Sequence, residues 1–263
     1  MIDWHYSISG LFVGAFVGIT GVGGGSLMTP ILVLLFGVHP VTAVGTDLLY
    51  AAITKSVGTI VHGRKQTVNW KIVRFLALGS IPGALLTILL ISTTGKPDDG
   101  IASLIMTTLG CTLLLTSLLL MFRDRLVMMM GRMQRPAQRK RLPQDYPGPA
   151  IILGFILGAL VTLTSVGAGA LGVTLMLFLY PRLRLTDIIG SDIAHAVPLT
   201  LISGIGYWVM GGVDWGMLGS LLVGSIPGII IGSLIAVSVS DRFIRPVLAL
   251  VLAVVGLKLV LAS

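Results

Sequence analysis

Hydrophobic runs separated by short polar or glycine-rich stretches cover this chain almost from end to end. Six runs of about 20 residues are long enough to cross a bilayer as helices, whereas two runs in each half are shorter. The pattern predicts an all-α polytopic membrane protein with 8–10 membrane segments. The apolar segments lie at about 8–20, 26–37, 41–61, 72–92, 101–121, 150–165, 168–180, 186–208, 216–238 and 243–261.

A glycine cluster at residues 21–25 interrupts the first apolar region. The run Leu11 to Thr20 would form a helix of roughly 15 Å, about half of a ~30 Å hydrocarbon core. Short hydrophobic segments interrupted by glycine are typical of broken or re-entrant membrane helices, whose free backbone N–H and C=O groups can bind a solute. Alternatively, the glycines only allow helices to pack closely. Four glycines in five positions favour a break.

The two halves of the chain repeat each other. Residues 10–14 resemble residues 154–158 at an offset of 144, and the Gly-Ser-Ile-Pro-Gly of residues 79–83 recurs unchanged at 224–228. Agreement of this extent indicates two copies of one unit, each with about five hydrophobic segments and a glycine-rich break. We therefore predict an N-terminal repeat at 1–122, a basic cytoplasmic loop at 123–149 and a C-terminal repeat at 150–263.

Composition supports the membrane assignment. Charged residues make up 11% of the chain and hydrophobic residues 55%, whereas soluble domains carry about 25% charged residues. The net charge of +8 would suggest a nucleic-acid partner in a soluble protein. Here the basic residues lie mostly in connecting stretches, so no nucleic acid is expected. Anionic lipid is an expected partner of the basic stretch 123–141.

The distribution of basic residues predicts the orientation of the repeats. Residues 123–141 hold seven Lys or Arg against one Asp, and residues 62–74 hold four and no acid, so both should be cytoplasmic. The repeat partner of the latter, 207–219, has no basic residue and should lie outside. Equivalent loops on opposite sides mean inverted repeats, as in many secondary transporters. The expected location is a bacterial-type inner (plasma) membrane, with both termini outside.

Four ionisable residues lie inside predicted membrane segments: Asp47, Lys55, Asp192 and His195. Inserting an ionisable side chain into a membrane segment costs about 2.5–3.5 kcal/mol. Such residues are therefore rare there, and each is a functional candidate. Asp47 and Asp192 are repeat equivalents that either cap a helix N-terminus, or couple transport to protons or bind a cation.

Lys55 and His195 each leave several interpretations open. Lys55 could pair with Asp47 on one helix face, supply positive charge for an anion, or extend to the cytoplasmic end of its helix. His195 lies one turn after Asp192 and could carry a proton or bind an anion. The alternative is a packing histidine bonded to a backbone group.

The two breaks are the predicted solute site, because helix N-termini are electropositive and present free N–H groups. A small anionic solute is the expected partner. No pattern indicates a metal site, a cofactor or an enzyme. Hydroxyls near the breaks include those of Thr20, Thr29 and Thr164. The predicted substrate-binding residues are Gly23, Gly24, Gly25, Ser26, Thr46, Ser165, Gly167, Ala168, Gly169, Ala170 and Ser191.

At these positions the chain resembles the TauE/SafE family of sulfite exporters. The resemblance covers nearly the whole chain and implies an inner-membrane carrier for sulfite or organosulfur anions, usually exporting. Asp47 stands where the family more often has serine, and Thr174 stands where the first repeat has proline. The extra acids Asp47 and Asp192 near the site suggest an anion other than plain sulfite, or proton coupling. The motif comprises Gly21-Val22-Gly23-Gly24-Gly25, Leu27, Pro30, Pro40, Ala43 and Gly45-Thr46.

Our hypothesis from the sequence is a secondary transporter for a small sulfur-containing oxyanion. A small-anion channel would instead show flux without saturation, and a cation carrier using the aspartates would require a metal ion or sodium. A membrane-embedded enzyme, in which Asp192 and His195 together act as the catalytic base, would form product when the protein is solubilised in detergent. Whether the protein forms a homo-oligomer stays open.

Overall fold

All regular secondary structure in the described part of the chain is α-helical. A computed structural model describes residues 3–20, 25–64, 66–93, 99–133, 147–181, 183–235 and 241–262. The ten helices are α1 Trp4–Thr20, α2 Gly25–Leu34, α3 Pro40–Arg64, α4 Trp70–Thr93, α5 Asp99–Met133, α6 Pro147–Thr164, α7 Ala170–Leu179, α8 Leu185–Val209, α9 Trp215–Ile235 and α10 Asp241–Ala262.

Among the described residues, five helical stretches are long and apolar enough to cross a membrane. Helices α2 and α7 have only ten residues each, as expected for the segments beside the breaks. Helix α5 continues to Met133, so it extends past the predicted segment end at residue 121 and into the basic stretch. The five stretches are Trp70–Thr93, Gly100–Phe122, Pro147–Thr164, Leu185–Val209 and Trp215–Gly232.

The two halves of the chain interlock. Helix α1 packs along α9, and its repeat equivalent α6 packs along α4, the equivalent of α9. Helix α3 packs on its own equivalent α8, and α5 packs on α10. Each principal contact of one half therefore has its counterpart in the other, and the core is shared between the halves.

Glycines create the closest of these helix contacts. A Cβ on Gly79 would overlap the carbonyl oxygen of Ile151, and a Cβ on Gly224 would overlap that of Ser7. Gly79 and Gly224 are repeat equivalents, and so are the carbonyls that they face, at the offsets found in the sequence. Small residues thus allow the α4–α6 and α1–α9 backbones to approach closely.

The connections before α4 and α9 are held by equivalent hydrogen bonds. The backbone N–H of Asn69 donates to Ser191 Oγ at 2.8 Å, and the N–H of Asp214 donates to Thr46 Oγ1 at 3.1 Å. Each loop of one half is therefore anchored to the long helix of the other half. The hydroxyls of Ser191 and Thr46, which the sequence predicts to bind substrate, are therefore bonded to these loops.

Candidate functional site

The helical structure breaks between α6 and α7. Helix α6 ends at Thr164 and α7 begins at Ala170, and the residues between them are not helical. Gly167 and Gly169 have φ values of 127° and 140°, which side chains rarely permit, and Ser165 has a φ of 57°. The glycines of the second half thus coincide with the non-helical stretch between α6 and α7.

The equivalent break of the first half falls largely outside the described residues. Gly23 and Gly24 lie in the stretch that is not described. Gly25 and Ser26 are the first two residues of α2, and the side chain of Ser26 is likewise outside the description. The structure therefore describes in full the second break, between α6 and α7.

The N-terminus of α7 has backbone N–H groups available for a ligand. The N–H groups of Gly172 and Val173 donate to the carbonyls of Gly167 and Gly169 at 2.7 and 2.8 Å. Within the described structure, the N–H groups of Ala170 and Leu171 have no acceptor, and Gly169 has no side chain to cap them. This helix end carries about half a positive unit charge.

Lys55 reaches this break from α3. Its side chain is buried, with 6% of its surface exposed, and Nζ donates to the carbonyl oxygen of Ala168 at 2.6 Å. Ala168 lies 113 residues away in the sequence, within the non-helical stretch. The interpretation that Lys55 extends to the cytoplasmic end of its helix is therefore wrong, since its ammonium group is held inside the protein.

Asp47 and Asp192 are both completely buried, at 0% exposure. Helices α3 and α8 begin at Pro40 and Leu185, so each aspartate is the eighth residue of its helix. The interpretation of these residues as N-terminal caps is therefore wrong, because both side chains lie more than one turn inside the helix.

The two carboxylates differ in their partners. Thr29 Oγ1 donates to Asp47 Oδ2 at 2.6 Å, whereas Asp47 Oδ1 has no partner. Neither oxygen of Asp192 has a hydrogen-bond partner in the described structure. Buried polar atoms without partners are rare in native proteins and commonly mark sites that bind water, ions or ligands.

The carboxylate of Asp192 lies against the first turns of α7. The Cβ position that an alanine would have at residue 172 overlaps Asp192 Oδ1. Lys55 interacts electrostatically with Asp192 and with Asp47. No ion pair within 4.0 Å joins Lys55 to either carboxylate in the described part of the chain. The expected direct pair between Lys55 and Asp47 is therefore not formed.

His195 is buried one helical turn after Asp192. Its Nε2 is hydrogen-bonded to Ser80 Oγ at 2.8 Å, and Nδ1 has no partner among the described residues. The alternative of a packing histidine bonded to a backbone group is not what the structure shows, because the imidazole bonds a side chain of α4. Tyr50 occupies the equivalent position of the first half and lies near Ser225, the equivalent of Ser80.

The predicted site residues fall into two groups. Lys55, Asp192 and the stretch from Ser165 to Ala170 come together at the second break, where Ser165 Oγ is buried without a partner in the described structure. The hydroxyls of Thr46 and Ser191 are instead bonded to the connecting loops. No cluster of three or more His, Cys, Asp or Glu side chains that could hold a metal occurs among the described residues.

Sequence reasoning missed Ser80 and Gly172 as parts of this site. Ser80 lies in the Gly-Ser-Ile-Pro-Gly motif that both halves share, so the repeat itself pointed to it. Gly172 lies two residues inside α7, where no sequence signal separates it from a glycine used for packing.

Comparison with known proteins identifies related membrane proteins. Residues 6–259 match the family profile described as sulfite exporter TauE/SafE. The chain is 39% identical over 254 residues to the probable membrane transporter protein YjnA of Bacillus subtilis, covering 96% of this chain and 98% of that protein. It is 29% identical over 208 residues to YdhB of the same organism, also a probable membrane transporter protein, covering 77% and 78%. A probable membrane transporter protein of Xylella fastidiosa is 29% identical over 209 residues, covering 79% and 74%. No solved structure matches this chain.

Proposed function

We propose that this chain, which belongs to the TauE/SafE sulfite exporter family, carries a small sulfur-containing oxyanion across the inner membrane. Family and relatives make it a multi-pass membrane transporter. The substrate class that we propose is sulfite or an organosulfonate, the direction is export, and the mechanism is secondary transport coupled to protons.

The observation that carries the proposal is the buried ammonium group of Lys55 at the break before α7. One of its three N–H donors is bonded to Ala168, and the other two have no partner among the described residues. The open N–H groups of Ala170 and Leu171 and the hydroxyl of Ser165 complete a set of donors. Several converging donors and a positive charge suit a compact oxyanion.

The same contact favours an anion over a cation. Carbonyl groups at helix breaks are the usual ligands of a transported Na⁺. At this break the carbonyl of Ala168 is occupied by Lys55, whose positive charge would repel a second cation. The carboxylates of Asp47 and Asp192 therefore serve protons in our proposal, and His195 is the third proton-carrying group.

Charge balance explains why protons would accompany the anion. With both aspartates ionised, the buried cluster of Asp47, Lys55 and Asp192 has a net charge of −1 and repels an anion. Protonating both makes it +1 and attracts one. Substitutions Asp47→Asn and Asp192→Asn should each change the pH profile of transport, and normal transport with an unchanged profile in both variants would contradict proton coupling.

The repeat supplies a route between the two faces of the membrane. In an inverted repeat, the two halves exchange conformations, so a central site opens alternately to either side. The matched contacts of α1–α9 and α4–α6 are compatible with two such equivalent arrangements. We therefore propose alternating access around the two breaks.

Exchange in proteoliposomes tests this function. Purified protein is reconstituted, the vesicles are preloaded with unlabelled sulfite, and uptake of labelled sulfite is measured with sulfonates and sulfate as competitors. The proposal predicts saturable uptake that internal substrate accelerates. Flux that neither saturates nor responds to internal substrate would indicate a channel, and no uptake of any of these anions into vesicles with folded protein would contradict the proposal.

A further inference from the structure

We propose that the Asp192 carboxylate is a tethered competitor of the transported anion, which occupies the electropositive end of α7 until it takes up a proton. The inference rests on the proposed anion site at the second break. It adds a mechanism by which the proton and the anion are linked: one carboxylate and one substrate anion compete for the same positive region.

The position of the carboxylate carries the argument. Asp192 belongs to α8, and its Oδ1 lies where a Cβ on Gly172 would be, against the first turns of α7. The absence of a side chain at residue 172 thus provides the space that the carboxylate fills. The side chain is completely buried, and neither of its oxygens is held by a hydrogen bond in the described structure.

The electrostatics at this position favour a negative group. The N-terminal end of α7 and the ammonium group of Lys55 are both positive, and Lys55 interacts with Asp192 across the break. A carboxylate that is attracted by both, but bonded to neither, is stabilised there without being locked in place. A substrate anion would be attracted by the same two groups, so the two negative charges exclude each other.

Asp47 differs from Asp192 in its hydrogen bonding and provides a matched comparison, although its carboxylate also faces Ser165 beside the break. Its Oδ2 accepts a hydrogen bond from Thr29, which lies 18 residues before it. Thr174 lies at the same separation before Asp192, but its hydroxyl donates to the carbonyl of Ala170 within α7. Asp47 is therefore held by a partner, whereas Asp192 is not.

Few other charged groups face Asp192. Helix α3 contributes Asp47 and Lys55, and α8 itself contributes His195. Helices α6 and α7 contain no charged residue, and the basic residues of α4, Lys71 and Arg74, are exposed in its first turns. The charged residues of α5 are Asp99, Arg123, Asp124, Arg125 and Arg132. Asp192 is thus the acidic group placed to compete directly at the end of α7.

Competition predicts a defined pH dependence of anion binding. Above the pH at which Asp192 ionises, the dissociation constant of wild type should rise about tenfold per pH unit, because one proton must bind with each anion. Asp192→Asn cannot ionise, so it should lose this slope and bind more tightly than wild type at high pH. Asp47→Asn retains Asp192 and should therefore keep a slope, although the loss of the Asp47 charge shifts the profile along the pH axis.

Calorimetric titration of the full-length protein in detergent measures this dependence between pH 5.5 and 8.5. The probe is methanesulfonate, whose single negative charge does not change over this range. Gly172→Ala is a second variant, in which the new methyl group displaces the carboxylate; it should weaken the slope while Asp192 is retained.

The outcomes separate the inference from the proposed function. A flat profile in Asp192→Asn and a weakened one in Gly172→Ala support the competition. A wild-type slope in both variants overturns it, even though an anion binds. If neither methanesulfonate nor sulfite binds to wild type or to any variant with an intact thermal transition, the anion site itself is contradicted and the competition with it.

Discussion

Two buried aspartates at equivalent positions of the repeat have different surroundings, and the difference begins with one threonine. Thr29 donates to Asp47 over 2.6 Å, whereas Thr174 is bonded to its own helix. A hydrogen bond to a buried carboxylate contributes more than one to a neutral group, because the acceptor has lost its water. The two repeats therefore surround their acidic groups differently even though their helices pack in equivalent pairs.

Replacing Thr29 by valine tests the importance of this bond. We expect Thr29→Val to lower the free energy of unfolding by about 1–3 kcal/mol, since it removes the hydroxyl that donates to the buried Asp47 carboxylate. The unfolding midpoint of purified protein in detergent, followed by tryptophan fluorescence, measures the effect. Thr29→Ser retains the hydroxyl and should stay close to wild type.

Thr174→Val is the matched control for this prediction. Like Thr29→Val, it removes a threonine hydroxyl 18 residues before an aspartate. The hydroxyl of Thr174, however, donates to a carbonyl of its own helix. Thr174→Val should therefore lower the free energy of unfolding clearly less than Thr29→Val does. Equal losses in the two variants would show that the bond to Asp47 has no special importance.

At the residue scale, the sequence was informative about charge and uninformative about partners. Asp47, Lys55, Asp192 and His195 stood out because each is ionisable and lies in an apolar segment. Their contacts come from other helices: Lys55 bonds Ala168, and His195 bonds Ser80 from 115 positions away. Such pairs depend on how the helices cross, which no local pattern encodes.

At the element scale, glycine has two uses that the sequence does not distinguish. The glycines at 167 and 169 have positive φ angles and lie in the non-helical stretch between α6 and α7. Gly45, two residues before Asp47, lies inside α3, where a Cβ would overlap the carbonyl of Gly212. A glycine required for close approach therefore resembles one that precedes a helix, and Asp47 lies about two turns inside α3 rather than at its N-terminal cap.

Gly224 in α9 provides a test of the close helix contacts. A Cβ there would overlap the backbone carbonyl of Ser7, which cannot move as a flexible side chain can. Gly224→Ala should therefore lower the free energy of unfolding by about 1–3 kcal/mol, through strain between α1 and α9. Unfolding in detergent measures the change.

Gly219, in the same helix, is the control, because a Cβ there would meet nothing within 4 Å. Gly219→Ala should be neutral or raise stability by about 0.5–1 kcal/mol, since alanine favours helix more than glycine does. If Gly224→Ala were as stable as Gly219→Ala, the close packing of α1 on α9 would be contradicted.

At the scale of the whole molecule, equivalent contacts tie the two halves into one body. The offset between the repeats could be read from the sequence, and equivalent loops and helix pairs recur at that offset. That α1 packs on α9 of the other half could not be predicted, because an internal repeat does not tell whether each copy packs within itself or against the other.

The inverted orientation of the repeats is tested by labelling equivalent positions. Lys71 and Gly216 are exposed repeat equivalents in α4 and α9. In a variant without Cys111, a single cysteine is placed at each position and labelled in intact cells with a membrane-impermeant maleimide. We expect labelling of Gly216→Cys and protection of Lys71→Cys until the cells are opened. Labelling of both from one side would contradict inversion.

Sulfite counterflow with Lys55→Met beside Lys258→Met decides whether the ammonium group of Lys55 builds the anion site. Both variants remove one lysine charge from a helix, but Lys258 is exposed on α10 and Lys55 is buried at the break. We predict that Lys55→Met loses exchange by at least about 100-fold, the equivalent of roughly 2.7 kcal/mol, and that Lys258→Met keeps it. Saturable wild-type exchange that persists in folded Lys55→Met would contradict an anion site built around this ammonium group.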